Sequence, residues 1–331
     1  MIISRTPVRL SFFGGGTDYR DYFERKNGAT LGVTINKYIF VSVNRLSDFF
    51  NYKFRIGYSK AELVKHVDDI VHPSVRECIK FKKCDGNLDI HIFADLPART
   101  GLGSSSAFTV GLLNALSALN GTRLSMQQLA EEAIFVEQQL IKEKVGCQDQ
   151  MHAAFGGLNI FEFSKSYVSA RPVIISKKKY ELLNRSIIVF FTGITRHANE
   201  ILEEQIKNTR SGSNDDYLDK MYQMVYEAED IISKEPEDTI IKKLGVLLHR
   251  GWQLKKSLSS SISNDLVDTA YKKAISAGAY GGKLAGAGAG GFLFFLAPPE
   301  RHVKIREVLL DMPEVDFKFE DEGSKIIYLS H

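Results

Sequence analysis

"LPARTGLGSSSAFTVGLLNAL" occupies residues 96–116. Gly101, Gly103 and the serine triplet Ser104–Ser106 run straight into a segment, Ser104 to Leu119, whose apolar residues recur at helical spacing. The N-terminus of a helix leaves backbone N–H groups without intrahelical partners and carries partial positive charge. Glycines just before it let the chain wrap an anion closely, so loop and helix together make a phosphate cradle. The serines add hydroxyls for N-capping, phosphate bonding or Mg²⁺ coordination. An ordinary N-cap after a tight turn would use the same residues. The P-loop is excluded because no Gly-Lys-Ser/Thr follows. The dinucleotide-binding pattern fails because its third glycine is missing.

The rest of the chain sets bounds on what surrounds this loop. With 331 residues, two domains are expected. A 44% hydrophobic and 25% charged composition is that of a globular protein. The formal net charge of +3, from 43 basic and 40 acidic residues, gives no reason to expect a nucleic-acid or membrane partner. No stretch is apolar for long enough to span a bilayer, and "MIISRTPVRLSFF" lacks a signal-peptide pattern. Cys78, Cys84 and Cys147 are odd in number and irregular in spacing, which argues for free thiols in a reducing cytoplasm. The basic run Lys177–Lys179 reads as a solvated turn.

The elements alternate in type. "KYIFVSV" (37–43), "NLDIHIFADL" (87–96), "GGLNIFEF" (156–163) and "SIIVFFTG" (186–193) read as strands. Residues 59–81 read as helical with a break near Pro73. Residues 125–142 read as a helix with Ser125 as N-cap and Gln128 three places on. Long helices are expected around 197–235, 237–256 and 264–278. After them "GKLAGAGAGGFLFFLAP" (282–298) is a glycine loop feeding an apolar strand, 299–311 is helical, and "KIIYLS" (325–330) is a final strand. The polar, lysine-rich 165–185 makes the best domain boundary.

Three ordered motifs resemble one family. "PARTGLGSSSA" (97–107) looks like the ATP-phosphate loop of the GHMP kinases, "RTPVRLSFFGGGTDY" (5–19) their N-terminal substrate motif, and "KLAGAGAGGF" (283–292) their C-terminal glycine motif. The resemblance implies an α+β, two-domain GHMP kinase fold. Residues 1–170 would form an N-terminal domain like ribosomal protein S5 domain 2, and 171–331 a ferredoxin-like C-terminal domain, with the active site in the cleft between them. It further implies ATP and Mg²⁺ as cofactors, and Pro97, Gly101, Leu102, Gly103, Ser104, Ser105, Ser106 and Ala107 at the nucleotide.

Phosphoryl transfer to a hydroxyl needs positioning, charge neutralisation and often a base. By the resemblance, Asp149 in "GCQDQ" falls where galactokinases carry their catalytic base, and Glu137, twelve residues earlier, where they carry the Mg²⁺ ligand. Ser104 would be the second metal ligand. A solvated helix carboxylate is the alternative for Glu137, and a turn aspartate for Asp149. Arg9 matches the arginine near the transferred phosphate and near Asp149. Arg5 reads instead as a surface strand residue. Asp18, with Gly15 and Gly16, matches the sugar-hydroxyl site, although an Asx-turn closing the glycine run would use it equally. The tract Gly286–Gly291, Gly288 included, would let backbone approach the substrate or simply pack tightly.

Galactokinases carry Gly-Glu-His-Thr-Asp where this chain has "GGGTDY" (14–19), so the residues that help hold galactose are missing. "TPVRLSFFGGGTDY", "VGCQDQ" and "TGITRHANEIL" (192–202) look most like the D-glycero-D-manno-heptose 7-phosphate kinases of the family. Those enzymes resemble sugar 1-kinases and supply nucleotide-activated heptose for surface polysaccharide. A phosphorylated acceptor needs a cationic clamp, and Arg196 and His197 are the candidates, with a polar helix turn as their other reading. A fucokinase-like sugar 1-kinase is the alternative within the class. Outside it stands a non-catalytic nucleotide- or sugar-binding regulator on the same fold.

Overall fold

The computed structural model describes residues 1–84, 86–98, 100–195 and 198–330. It is built on one long antiparallel hairpin. Strand β1 (Ile2–Phe13) leads through the glycine run and the single turn α1 (Arg20–Phe23) into β2 (Gly28–Arg45). Then follow β3 (Phe54–Gly57), β4 (Ala61–Val64), α2 (Pro73–Phe81), β5 (Leu88–Ala94), α3 (Ser104–Leu119), α4 (Met126–Phe135), α5 (Gln148–Phe155), β6 (Leu158–Phe163) and β7 (Val168–Pro172).

The eighteen residues of β2 serve two neighbours besides β1. Its first part, from Gly28 to Val33, pairs with β6; its last part, from Ile39 to Arg45, pairs with β5. The register against β1 slips between Pro7 and Val8, where proline cannot donate a ladder hydrogen bond. Past β5 lie β3 and β4, with β3 parallel to β5. Helices α3 and α5 pack on the β1–β2 hairpin. Gly111 lets α3 come close, since a Cβ there would sit 2.7 Å from Thr6 Oγ1, and Ser4 Oγ donates to its carbonyl at 2.8 Å.

The second half supplies α6 (Lys177–Arg185), β8 (Ile187–Phe191), α7 (Ala198–Arg210), α8 (Asp215–Lys234), α9 (Glu237–Lys256), α10 (Asp265–Ser276), β9 (Gly281–Leu284), β10 (Phe292–Leu296), α11 (His302–Val308) and β11 (Lys325–Leu329). The central strand of the three-stranded sheet β8-β10-β9 reads "FLFFL" because both of its faces are covered. Phe292, Phe294 and Leu296 enter the core shared with the first sheet. Leu293 and Phe295 enter a second core around Trp252 and Tyr271.

The chain then returns to the first sheet. Glu320 N–H donates to the Thr34 carbonyl, and β11 pairs antiparallel with β1. The residues after 170 therefore contribute to both sheets.

Three local expectations are corrected. Residues 61–64 of the stretch read as helical are strand β4, because their pairing with β3 outweighs a sequence, Ala-Glu-Leu-Val, that suits either state. Pro73 opens α2 at its first turn instead of breaking a helix. The lysines 177–179, read as a turn, are the first turn of α6, capped by Ser176 Oγ accepting from Lys179 N–H. Ser125 and Gln128 form the expected capping box on α4. Cys78, Cys84 and Cys147 are free and buried. Among the described residues no helix is long and apolar enough to cross a membrane.

Candidate active site

The phosphate loop is held open by two left-handed glycines, Gly101 (φ +83°) and Gly103 (φ +77°). Gly103 is the N-cap of α3, and no side chain caps that helix. The serines that could have served as caps do not, so the first N–H groups of α3 stay available to an anion. Ser105 is exposed, while Ser104 and Ser106 are buried. Leu102 and Ala107 point into the core, so they can meet a nucleotide only through their backbone. The Pro97 carbonyl accepts from Thr100 Oγ1 at 2.9 Å and shapes the turn.

The C-terminal glycine tract is packed on this loop. A Cβ on Gly101 would lie 2.4 Å from the Ala285 carbonyl oxygen, and one on Gly286 would lie 2.4 Å from the Gly101 Cα. Phe292 N–H donates to the Thr100 carbonyl at 3.2 Å. Gly288 sits against the Ile262 backbone, where a Cβ would approach within 2.8 Å of the carbonyl oxygen, so the structure gives it a packing role. Gly101→Ala would force a side chain into both a left-handed φ, at roughly 1–2 kcal/mol, and a backbone contact. Its melting temperature should fall, and Mg·ATP should no longer raise it. Thermal melts with and without nucleotide check this.

Arg9 rises from β1 and binds the loop from below. Its Nη1 donates to the Gly101 carbonyl at 2.6 Å, and its backbone N–H to the Leu102 carbonyl at 3.0 Å. Its Nε and Nη2 both reach Asp149 Oδ1, at 2.9 and 2.6 Å. Asp149 is in the first turn of α5 and keeps 27% of its side chain exposed. Its Oδ2 makes no hydrogen bond among the described residues and lies 3.2 Å from where a Gly103 Cβ would be. A carboxylate oxygen thus faces open space beside the phosphate loop. Arg5, by contrast, lies at the rim, paired with Glu322 and over the Tyr38 ring.

Glu137 is not a solvated carboxylate. It falls in a π-helical turn, Val136–Leu140, after α4, and is 1% exposed. Such turns bulge a helix and often mark functional positions. Its Oε2 accepts from Ser106 Oγ at 2.9 Å and from Gln150 Nε2. Its Oε1 is buried without a partner. Burial pushes its carboxyl up to about 7, while the polar side chains around it pull the other way; of these Ser106 and Gln150 bond its Oε2, and the Thr109 hydroxyl donates instead to the Ser105 carbonyl at 3.3 Å. A buried oxygen without a donor, next to a phosphate cradle, fits a hard cation. Among the described residues no three His, Cys, Asp or Glu side chains converge on one metal. That suits Mg²⁺, which takes one or two carboxylates plus phosphates instead of a protein cage. The serine touching Glu137 is Ser106, whereas Ser104 had been expected beside the metal.

Asp18 is 1% exposed and spanned by backbone. Gly16 N–H, two residues before it, donates to its Oδ1 at 2.9 Å, and Gln148 N–H to its Oδ2 at 3.3 Å, so the carboxylate is held by the glycine run and by α5 and not in an Asx-turn, whose donor lies two residues on. Burial, and then the nearby Asp149, raise its carboxyl above the usual range against the backbone donors. Gly146 is obligatory here, because a Cβ would lie 1.9 Å from Asp18 Oδ2. Gly15 lies near Ser11 and Gln148, whose side chains bond at 2.6 Å, and Gly16 lies near Leu218 and Gln205 of the second half. Arg196 and His197 lie outside the described residues.

Sequence reading missed two buried lysines at the same place. Lys255 on α9 is 6% exposed and donates to the Gly286 carbonyl. Lys283 on β9 is 5% exposed and donates to the Phe12 carbonyl at 3.2 Å. A signal for Lys255 exists: it follows Leu244, Leu248 and Trp252 along the buried stripe of α9.

Comparison with known proteins decides the family. Residues 59–157 match the GHMP kinases N terminal domain, and residues 239–312 the GHMP kinases C terminal. A D-glycero-alpha-D-manno-heptose 7-phosphate kinase of Campylobacter jejuni is 30% identical over 98% of both chains. The chain belongs to the GHMP kinase family. The kinase is also 29% identical to a mevalonate kinase of Thermococcus sibiricus, over 90% of this chain and 81% of that one. The solved structure of a D-glycero-D-manno-heptose 1-phosphate kinase from Bacteroides thetaiotaomicron covers 100% of both chains with a TM-score of 0.80 at 21% identity, a likeness of fold. The two-domain GHMP kinase architecture, and with it an ATP-dependent kinase, is thereby established.

Proposed function

We propose that this kinase transfers the γ-phosphoryl group of ATP to the anomeric C1 hydroxyl of D-glycero-D-manno-heptose 7-phosphate. The observation that carries the reading is the 30% identity, spread over 98% of both chains, to the heptose 7-phosphate kinase of Campylobacter jejuni. Gly15 and Gly16 stand where galactokinases carry Glu and His, so side chains that help hold galactose are missing, which agrees with a different acceptor.

The residues divide the chemistry among them. The N–H groups of the loop and of α3 hold the phosphates, and Arg9 neutralises charge that develops on the transferred group. Glu137, with Ser106 or Ser104, would hold Mg²⁺, which when bound shields the phosphate oxygens. Asp149 Oδ2 accepts the hydrogen bond of the attacking hydroxyl and orients its oxygen at the γ-phosphorus. The new O–P bond forms as the bond from the γ-phosphorus to the bridging oxygen breaks. ADP leaves, and the hydroxyl proton passes to Asp149 and on to solvent.

A coupled assay for ADP release tests the assignment on heptose 7-phosphate, unphosphorylated heptose, L-fucose, galactose and mevalonate. The heptose phosphate should lead in kcat/KM by about 10²-fold or more, since a site with buried polar groups rejects analogues that leave them unpaired. Phosphorus NMR of the product should show an anomeric phosphate. Preference for L-fucose or for the unphosphorylated heptose would overturn the choice of acceptor.

A further inference from the structure

The floor of the cleft carries a cation that the chemistry above does not use. Arg9, Lys255 and Lys283 are 4%, 6% and 5% exposed, and the carboxylates they face are Asp18 and Asp149. Arg9 is committed to Asp149 and to the Gly101 carbonyl. Lys283 donates to the Phe12 carbonyl, and burial drives it well below the ordinary lysine range. Lys255 is as sparsely partnered as Lys283 and differs in keeping its charge and in where it sits. An ammonium has three donors, yet among the described residues Lys255 uses one, on the Gly286 carbonyl, and forms no ion pair. A buried charge so poorly compensated is costly. Burial, then the neighbouring Arg9, lower it to about 8 against the pull of Asp18 and Asp149, so it still holds its proton near neutrality.

Its location says what the charge is for. The carbonyl that Lys255 holds belongs to Gly286, and Gly286 packs on Gly101 of the phosphate loop. The ammonium therefore sits at the seam of the two glycine loops, with Arg9 nearby on the Gly101 carbonyl. We infer that Lys255 is a second cation, beside Arg9, for a phosphoryl group bound at that seam, the terminal phosphate of the nucleotide. A phosphate dianion would accept the two idle N–H groups and offset the burial. The inference rests on the phosphotransfer reading of the Arg9–Asp149 cleft, and it is independent of which acceptor the kinase uses.

The test compares ligands that differ by one phosphate. Lys255→Met keeps length and apolar contact and removes the charge. Calorimetric titrations with Mg·ADP, with a non-hydrolysable Mg·ATP analogue, and with heptose 7-phosphate against free heptose separate the possible anions. The expected result is unchanged ADP affinity and a triphosphate affinity lowered by about 10–100-fold, the equivalent of one charge-assisted hydrogen bond. The triphosphate affinity of the wild type should also fall between about pH 7.5 and 9 more than that of ADP, as Lys255 loses its proton. Arg9, Asp18, Asp149 and Lys283 are the other charged groups facing it. Weakened binding of the phosphorylated sugar alone would overturn the assignment to the nucleotide and give Lys255 to the acceptor. Unchanged affinities throughout would leave Lys255 a strut under Gly286. Should the methionine variant fail to fold, the wild-type pH comparison decides alone, and equal pH dependence for both nucleotides overturns the inference.

Discussion

Asp149→Asn should lower the single-turnover rate by about 10²–10⁴-fold, the range of general-base assistance, while nucleotide binding survives. The geometry makes this substitution unusually clean. Both Arg9 donors reach one oxygen, Oδ1, which the amide oxygen of asparagine can replace. The fold around α5 and the loop should therefore hold. The loss falls on Oδ2, the oxygen facing the cleft, which becomes an NH₂ group. That group donates where the acceptor hydroxyl also donates, so the hydroxyl loses both its orientation and its route for the proton. ATP affinity should stay within a few-fold of wild type, because the phosphates rest on the glycine loop and α3. Rapid-quench single turnover and calorimetric nucleotide binding measure the two halves. A near-normal single-turnover rate would remove Asp149 from the chemistry and return it to a turn aspartate that anchors Arg9.

The parts of this site that were legible in the sequence are those fixed by local backbone chemistry. Gly101 and Gly103 had to be glycine for their positive φ, and the apolar period after Ser104 had to be a helix. What stayed hidden depends on contacts between distant segments. Which serine reaches Glu137 is set by how α3 is rotated against the turn after α4, and the answer is Ser106. That Glu137 is buried follows from a π-helical turn that no local pattern announces. Lys255 reads as one more lysine in "LKKS" unless the apolar stripe Leu244, Leu248, Trp252 is followed into it, and even then its partner, the Gly286 carbonyl, is set by a contact between distant segments. The strand at 61–64 fails for the same reason, since its state is decided by β3 alongside it. The return of the final strand to β1 is likewise a matter of topology, and the alternation of "KIIYLS" gives no hint of it.

Glu137→Gln should lower turnover and raise the Mg²⁺ concentration needed for half-maximal rate, the latter by about 10–100-fold, as disturbed metal sites typically do. Glutamine can still accept from Ser106 through its amide oxygen. Its NH₂ group then occupies the place of Oε1, the buried oxygen left without a donor, and a donor cannot bind a cation. A second readout needs no activity. In the metal-free protein the Glu137 carboxyl is raised from 4.5 to about 7 by burial, so the folded state binds its proton more tightly than the unfolded chain. Stability from this group is fully present below about pH 4.5 and is lost as pH rises through 7. Without Mg²⁺, the wild type should lose melting temperature between pH 5 and about 8 relative to Glu137→Gln, which has no proton to give up. Mg²⁺ with a nucleotide should restore the wild type at pH 8 and do much less for the variant, because a bound cation favours the charged carboxylate. Parallel melts of the two proteins across that range, with and without Mg²⁺, would assign the oxygen. Identical pH profiles and an unchanged Mg²⁺ titration would instead make Glu137 a structural acceptor for Ser106 and Gln150.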